Sequence, residues 1–185
     1  MKACSFLPAA TSMIYQMGLQ EDLCGVTFEC HSDKPKVTRS ILEGKQYTSA
    51  EIDRIVSESK AQGRSLYYID KALLQELVPD VIFTQDVCDV CQIDTSYVQK
   101  AIYKLPKQPQ LIPLIPQRLN DVFANAITIA TTLNKEEVAY YLLQNVQNRI
   151  NSITDTLRKH KTRVKEYSSW NGCSPSITRV IGCQI

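Results

Sequence analysis

Pro79-Asp80-Val81-Ile82-Phe83-Thr84-Gln85-Asp86-Val87-Cys88-Asp89-Val90-Cys91 decides how this chain folds. A helix-breaking proline precedes a short apolar run, Val81 to Thr84, rich in β-branched and aromatic residues and therefore a buried strand. The run ends in a loop carrying two thiols and two carboxylates. In α/β proteins such a loop delivers polar groups to the crevice above the sheet. Gln85 to Cys91 is thus the first place to look for a ligand.

Outward from this segment, strand and helix signals alternate. Ala3 to Leu7 is a short apolar strand, and Pro8 opens a helix with Met13, Ile14 and Met17 on one face, stopped by Gly18. Leu23 to Phe28 is the next strand, followed by the polar loop Glu29-Cys30-His31-Ser32-Asp33-Lys34-Pro35. Thr48-Ser49-Ala50-Glu51 is a capping box, and Ile52, Ile55 and Val56 give its helix an apolar face that ends near Gly63. Asp70 caps a short helix through Leu77. Asp94 caps another, with Tyr97, Val98, Ala101, Ile102 and Leu105 aligned. Leu111 to Leu114 is a strand, and Asn120 caps a helix through Leu133. Strands separated by helices predict an α/β fold, a parallel sheet with helices on both faces.

From Lys135 to Lys161 no Gly or Pro interrupts the pattern, and Leu142, Val146, Ile150, Ile153 and Leu157 recur at helical spacing. At 1.5 Å per residue this helix is roughly 40 Å long, more than one small lobe needs. The expected organisation is a lobe over 1–134, a long helix over 135–161 and an irregular tail over 162–185.

Composition narrows the function. The chain has 185 residues and a formal net charge of +2. It has no basic block or nucleic-acid motif, and no apolar run long enough for a membrane span, so neither nucleic acid nor membrane insertion is expected. Residues 1–8 lack the apolar core of a signal peptide, so the chain as written is expected in the cytoplasm. Seven cysteines, Cys4, Cys24, Cys30, Cys88, Cys91, Cys173 and Cys183, are then reduced by default. Cys4 and Cys24, inside apparent strands, behave as small buried hydrophobes.

Phe6-Leu7-Pro8-Ala9-Ala10-Thr11, Gly25-Val26-Thr27-Phe28-Glu29-Cys30, Gly63-Arg64-Ser65-Leu66-Tyr67 with Asp70, and Pro79 to Cys91 occur in an order and spacing that carry a further message. Together they resemble the cobalamin-binding-protein-like group of ABC-transporter substrate-binding proteins, the helix-spined class III proteins that capture corrinoids and ferric siderophores. The resemblance covers residues 1 to about 165 and implies two α/β lobes joined by a spine helix, with ligand held between them. Residues 1–134 match the N-terminal lobe and Lys135–Lys161 the spine. The resemblance also implies a corrinoid or iron-chelate ligand, a transporter permease as partner, a periplasmic or lipid-anchored location, and binding without catalysis.

The second lobe has no counterpart in the remaining residues. Glu166 to Ile185 loses apolar periodicity and gathers Ser, Cys, Gly and Trp. Codons can be chosen for Lys165 to Ile185 so that a shifted frame restores the family's R-V-F-L-M-E-W and P-I-Y…G-H-W-x-P motifs. The expectation is therefore a frameshift after Val164 or Lys165, a binding-impaired chain, and self-association through the bared spine. A short native C-terminal extension is the alternative.

The groups near the strand ends admit three roles. Pro8, Thr11, Phe28, Glu29, Tyr67, Gln85 and Asp86 are the candidate ligand-binding residues, with Phe28, Tyr67 and Tyr68 offering flat apolar contact to a macrocycle such as cobalamin. Alternatively Cys30, Cys88 and Cys91, with His31, hold Zn²⁺ or run thiol redox chemistry in a cytoplasmic protein. In the third role the thiols are packed and the charges solvated. Asp86 and Asp89 raise the affinity of neighbouring thiols for protons, which disfavours an enzyme of the Cys-x-x-Cys type.

Overall fold

The structure is a computed structural model and describes residues 1–85, 95–103, 105, 107–159, 167–170 and 177–180. The elements in chain order are β1 (Ala3–Ser5), α1 (Pro8–Gln16), β2 (Leu23–Thr27), β3 (Lys36–Ser40), α2 (Ser49–Ala61), β4 (Tyr67–Ile69), α3 (Lys71–Leu77), β5 (Val81–Thr84), α4 (Thr95–Ile102), β6 (Gln110–Pro113), α5 (Leu119–Thr132), α6 (Glu136–Lys159), β7 (Tyr167–Trp170) and β8 (Ile177–Val180). The expected cap Asp94 lies outside the described residues.

Six strands form one sheet in the order β4-β3-β2-β1-β5-β6. Side chains alternate across it, so neighbouring residues feed different cores. Ala3, Leu23, Val26, Val81 and Phe83 pack with Ile14 of α1, Ile129 and Ala130 of α5 and Ala139 of α6. Cys4, Val37, Ile69 and Ile82 pack on the other face with Leu74 of α3 and with Val98, Ala101 and Ile102 of α4. Burying each large aliphatic or aromatic side chain stabilises the fold by about 1.5–3 kcal/mol. A sheet covered on both faces is the α/β architecture expected from the alternation.

The parallel sheet needs one correction. β3, β2, β1, β5 and β6 run parallel, but β4 pairs antiparallel with β3, placing Tyr67 opposite Ser40. Neither β3 nor β4 stands out in the sequence. Lys36-Val37-Thr38-Arg39-Ser40 is largely polar, and β4 has three residues.

Local signals set most helix ends. Gly18, at φ +71°, ends α1 with a double closure: Leu19 N–H donates to the Ile14 carbonyl (2.9 Å) and Gly18 N–H to that of Tyr15 (3.0 Å). Thr48 and Glu51 form the anticipated capping box on α2. Asp70 caps α3, its carboxylate accepting the Leu73 N–H at 3.0 Å. Helix α5 starts at Leu119 instead of after Asn120, because the Asp121 carboxylate accepts the N–H groups of Gln117 (2.9 Å) and Arg118 (2.8 Å). The apolar face read for α2 is not in the core: Ile52 is 41% exposed, and Ser59 is the helix's one buried residue.

Gly25 is set by space. A register shift between β1 and β2 pairs Ala3 with Leu23 but Cys4 with Gly25, so Cys24 is the extra residue of a bulge. A Cβ on Gly25 would lie 2.5 Å from Val37 Cγ2 and 3.0 Å from Leu77 Cδ1. Only a bare Cα lets α3 sit this close to the sheet.

The chain divides into two compact units, Met1–Leu143 and Gln144–Ile185. The first turns of α6 thus belong to the first unit, where Ala139 is fully buried and Leu142 packs against the core. The second unit holds the rest of α6, with Ile150, Ile153 and Leu157 at 38%, 55% and 47% exposure. It also holds β7 and β8, which pair antiparallel, Tyr167 opposite Val180 and Trp170 opposite Ile177, as a separate two-stranded sheet.

Candidate functional site

Strand order places the crevice. After β1 the chain turns into α1 on one face of the sheet, and α4, which follows β5, lies on the other. β1 and β5 are neighbours. Loops that leave two adjacent parallel strands toward opposite faces open a gap at the strands' C-terminal ends. Pro8 stands exposed on one side of that gap and Gln85, partly buried, on the other.

The first turn of α1 faces this edge with its amides uncommitted to any side-chain cap. Leu7 is the extended N-cap, Pro8 occupies the first helical position, and no acidic residue lies in the turn. Such a helix start carries partial positive charge.

Beneath it, a chain of small polar groups locks the strand end to the next loop. Cys30 Sγ donates to Thr11 Oγ1 (3.1 Å), Thr11 Oγ1 to Ser5 Oγ (2.9 Å), and Ser5 Oγ to the Leu7 carbonyl (2.9 Å). All three side chains are buried. Thr11, expected to face ligand, instead holds the wall of the crevice. Cys30 likewise is spent inside.

The loop after β2 is stapled from below. Cys30 N–H donates to the Thr27 carbonyl (3.1 Å). The Lys36 ammonium donates to the carbonyls of Cys30 and Ser32, both at 2.7 Å, and the Tyr15 and Ser32 hydroxyls bond at 2.7 Å. Glu29, His31 and Asp33 are left exposed along the rim. A rigid loop that presents alternate polar side chains suits recognition, since little order is lost on binding.

Phe28 and Tyr67 complete the edge. Their ring centroids are 5.9 Å apart and tilted by 34°. Phe28 stands just past β2, its N–H bonded to the Thr38 carbonyl (3.0 Å), and Tyr67 reaches the same edge because β4 runs antiparallel. Tyr68, next along, is 47% exposed.

Pro8, Phe28, Glu29, Tyr67 and Gln85 therefore share one edge of the sheet. Asp86, Cys88 and Cys91 lie outside the described residues. Among the described residues no group of three or more His, Cys, Asp or Glu side chains is placed to hold a metal ion. Sequence reasoning missed Ser5, Tyr15 and Lys36. Their roles depend on contacts made only when the loop closes, and no local pattern marks them.

Comparison with solved structures identifies the fold. The lobe has the fold of the N-terminal half of helix-spined, class III periplasmic binding proteins. One similar structure is a possible iron-binding, periplasmic solute-binding protein from Staphylococcus epidermidis, 17% identical with a TM-score of 0.62, covering 96% of this chain and 59% of that one. A second is the periplasmic heme-binding protein HutB of Vibrio cholerae, 16% identical with a TM-score of 0.57, covering 84% and 49%. A third is an ABC transporter substrate-binding protein from Listeria monocytogenes, 11% identical with a TM-score of 0.54, covering 90% and 56%. The chain thus spans about half the length of the solved structures it matches. No family model and no curated protein matches the sequence. No helix among the described residues is long and apolar enough to cross a membrane.

Proposed function

We propose that this chain is the ligand-capturing N-terminal lobe of an ABC-type uptake protein for a metal-centred macrocycle or chelate, a corrinoid or a ferric siderophore. The observation that carries this is the sheet edge where the parallel strands end, with an uncapped helix start at the β1–β5 gap and, beyond β2 on the same edge, the stapled Glu29–Asp33 rim and the Phe28–Tyr67 aromatic pair. Flat aromatic surface suits a macrocycle, while the helix amides and rim side chains suit the polar groups at its edge. The role is binding, with no bond made or broken.

The fold neighbours support the class of ligand. The Staphylococcus protein is described as possibly iron-binding and the Vibrio protein as heme-binding. This chain covers 59% and 49% of those two chains, so a second lobe would supply the opposite wall and a permease the docking partner. The exposed Ile150, Ile153 and Leu157 stripe would seat an apolar partner surface, a second lobe or a second copy. The Staphylococcus and Vibrio proteins are described as periplasmic, which supports a role outside the cytoplasmic membrane as against the cytoplasm expected from residues 1–8.

Absorbance titration with cyanocobalamin, a ferric hydroxamate siderophore and hemin tests the proposal. A saturable spectral change with at least one of them, weakened severalfold by Phe28→Ala at unchanged thermal stability, is expected. No saturable change with any of the three up to millimolar concentration would sink it.

A further inference from the structure

The two cysteines of the neighbouring strands β1 and β2 are more than small hydrophobes. Cys4 and Cys24 are 20 positions apart in sequence, yet their sulfurs are 3.6 Å apart. The bulge at Cys24 makes the contact, because it turns this residue to the same face of the sheet as Cys4. Adjacent strands lie about 4.8 Å apart, inside the range of about 4.4–6.8 Å between Cα atoms that a disulfide spans. Closing the bond then requires the sulfurs to approach, with no change in strand pairing.

The pair is asymmetric. Cys4 is fully buried, whereas Cys24 is partly exposed at the end of the sheet opposite the candidate ligand edge. The charged groups acting on Cys24 are Lys2, which favours its thiolate, and Asp80, which opposes it. Asp80 is itself engaged, accepting the Lys2 backbone N–H at 2.8 Å and paired with the Lys107 ammonium. The hydrogen bond between the two sulfurs holds the Cys24 thiol below its ordinary range and, together with burial, pushes that of Cys4 up. A partly exposed sulfur in contact with a buried one is the arrangement of an attacking and a resolving thiol.

We infer that Cys4 and Cys24 form a redox-active dithiol whose substrates are low-molecular-weight disulfides, with Cys24 attacking and Cys4 resolving. Cys24 thiolate displaces one thiolate from the disulfide R–S–S–R and forms a mixed disulfide, Cys24–S–S–R. Cys4 loses its proton to the released thiolate and attacks the Cys24 sulfur, expelling the second thiolate. The protein dithiol is oxidised by two electrons to a Cys4–Cys24 disulfide, and R–S–S–R is reduced to two thiols. Proximity makes the second step intramolecular, so the mixed disulfide does not accumulate. The inference is independent of the ligand proposed above.

Peptide mapping of the full chain after treatment with oxidised glutathione tests it. A glutamate-specific protease cuts after Glu21 and Glu29 and so separates Cys4, Cys24 and Cys30 into different peptides. In the wild-type chain the Cys4–Cys24 cross-link is expected to exceed Cys24–glutathione by at least about tenfold. Cys4→Ala should reverse this ratio and stop at the mixed disulfide. Accumulation of Cys24–glutathione in the wild type, or a Cys24 that stays reduced while other thiols react, would overturn the inference. Both of those outcomes are read on the unmutated protein, so they do not depend on the variant folding.

Discussion

Helices α1 and α2 begin with opposite qualifications and end in opposite places. α2 has the fuller local signal: a reciprocal capping box, an acidic residue in its first turn and a basic one in its last. α1 has a proline at its start, no side-chain cap and no charge at either end. Yet α1 buries Ala10, Thr11 and Ile14 between sheet and α5, while α2 buries Ser59. Capping fixes where a helix starts, and apolar burial decides whether the fold depends on it. α1, which also forms one side of the crevice, is the helix this lobe cannot lose.

The largest effect expected along this contrast is from Ile14→Ala. Removing a fully buried side chain from α1 should cost about 2–5 kcal/mol in urea unfolding followed by circular dichroism. A loss below 1 kcal/mol would show that α1 is not anchored as described. Next comes Gly25→Ala, which tests whether α3 is held by close approach. Its new methyl meets the fully buried Val37, and overpacking of this kind costs about 1–3 kcal/mol. A neutral or stabilising result would mean that the sheet has room there.

Thr48→Ala in α2 should cost about 1 kcal/mol, the usual worth of an N-cap. That difference depends on pH. The Glu51 carboxyl is held below its ordinary range by accepting the Thr48 backbone N–H and hydroxyl. A depressed carboxyl stabilises the fold above its unfolded value, near 4.5, and the contribution is lost as pH falls through the folded value. The gap between variant and wild type should therefore narrow on acidification, and a gap that widens would contradict the box. Smallest of all, Ile52→Ala should change stability by less than about 0.5 kcal/mol, since its side chain is largely in water. A cost comparable to Ile14→Ala would erase the contrast between the helices.

The same contrast explains what the sequence made legible. The Gly18 stop, the Thr48–Glu51 box and the Asp70 cap are settled within a few residues, and all are found where the spacing puts them. The α/β alternation and the β5 strand were equally clear, because Val81 to Phe83 has no polar residue to dilute its signal. β3 was hidden because its buried positions include Thr38 and Ser40. The apolar residues of α2 implied a core contact that the fold never makes. Phe28, Glu29 and Tyr67, read from their motifs, fall on one edge of the sheet. The inward turn of Thr11 could not be read in this way, since it depends on Ser5 from β1 and Cys30 from the loop after β2. Nor could the Cys4–Cys24 contact, which exists only through a bulge.

The Lys36 staple has a consequence for how the rim of this lobe can vary. One buried-side ammonium satisfies the loop's carbonyls, so the backbone at Glu29 and His31 keeps its course whatever side chains stand there. Those two positions can be exchanged like teeth on a fixed comb, altering charge and reach without reopening the question of folding.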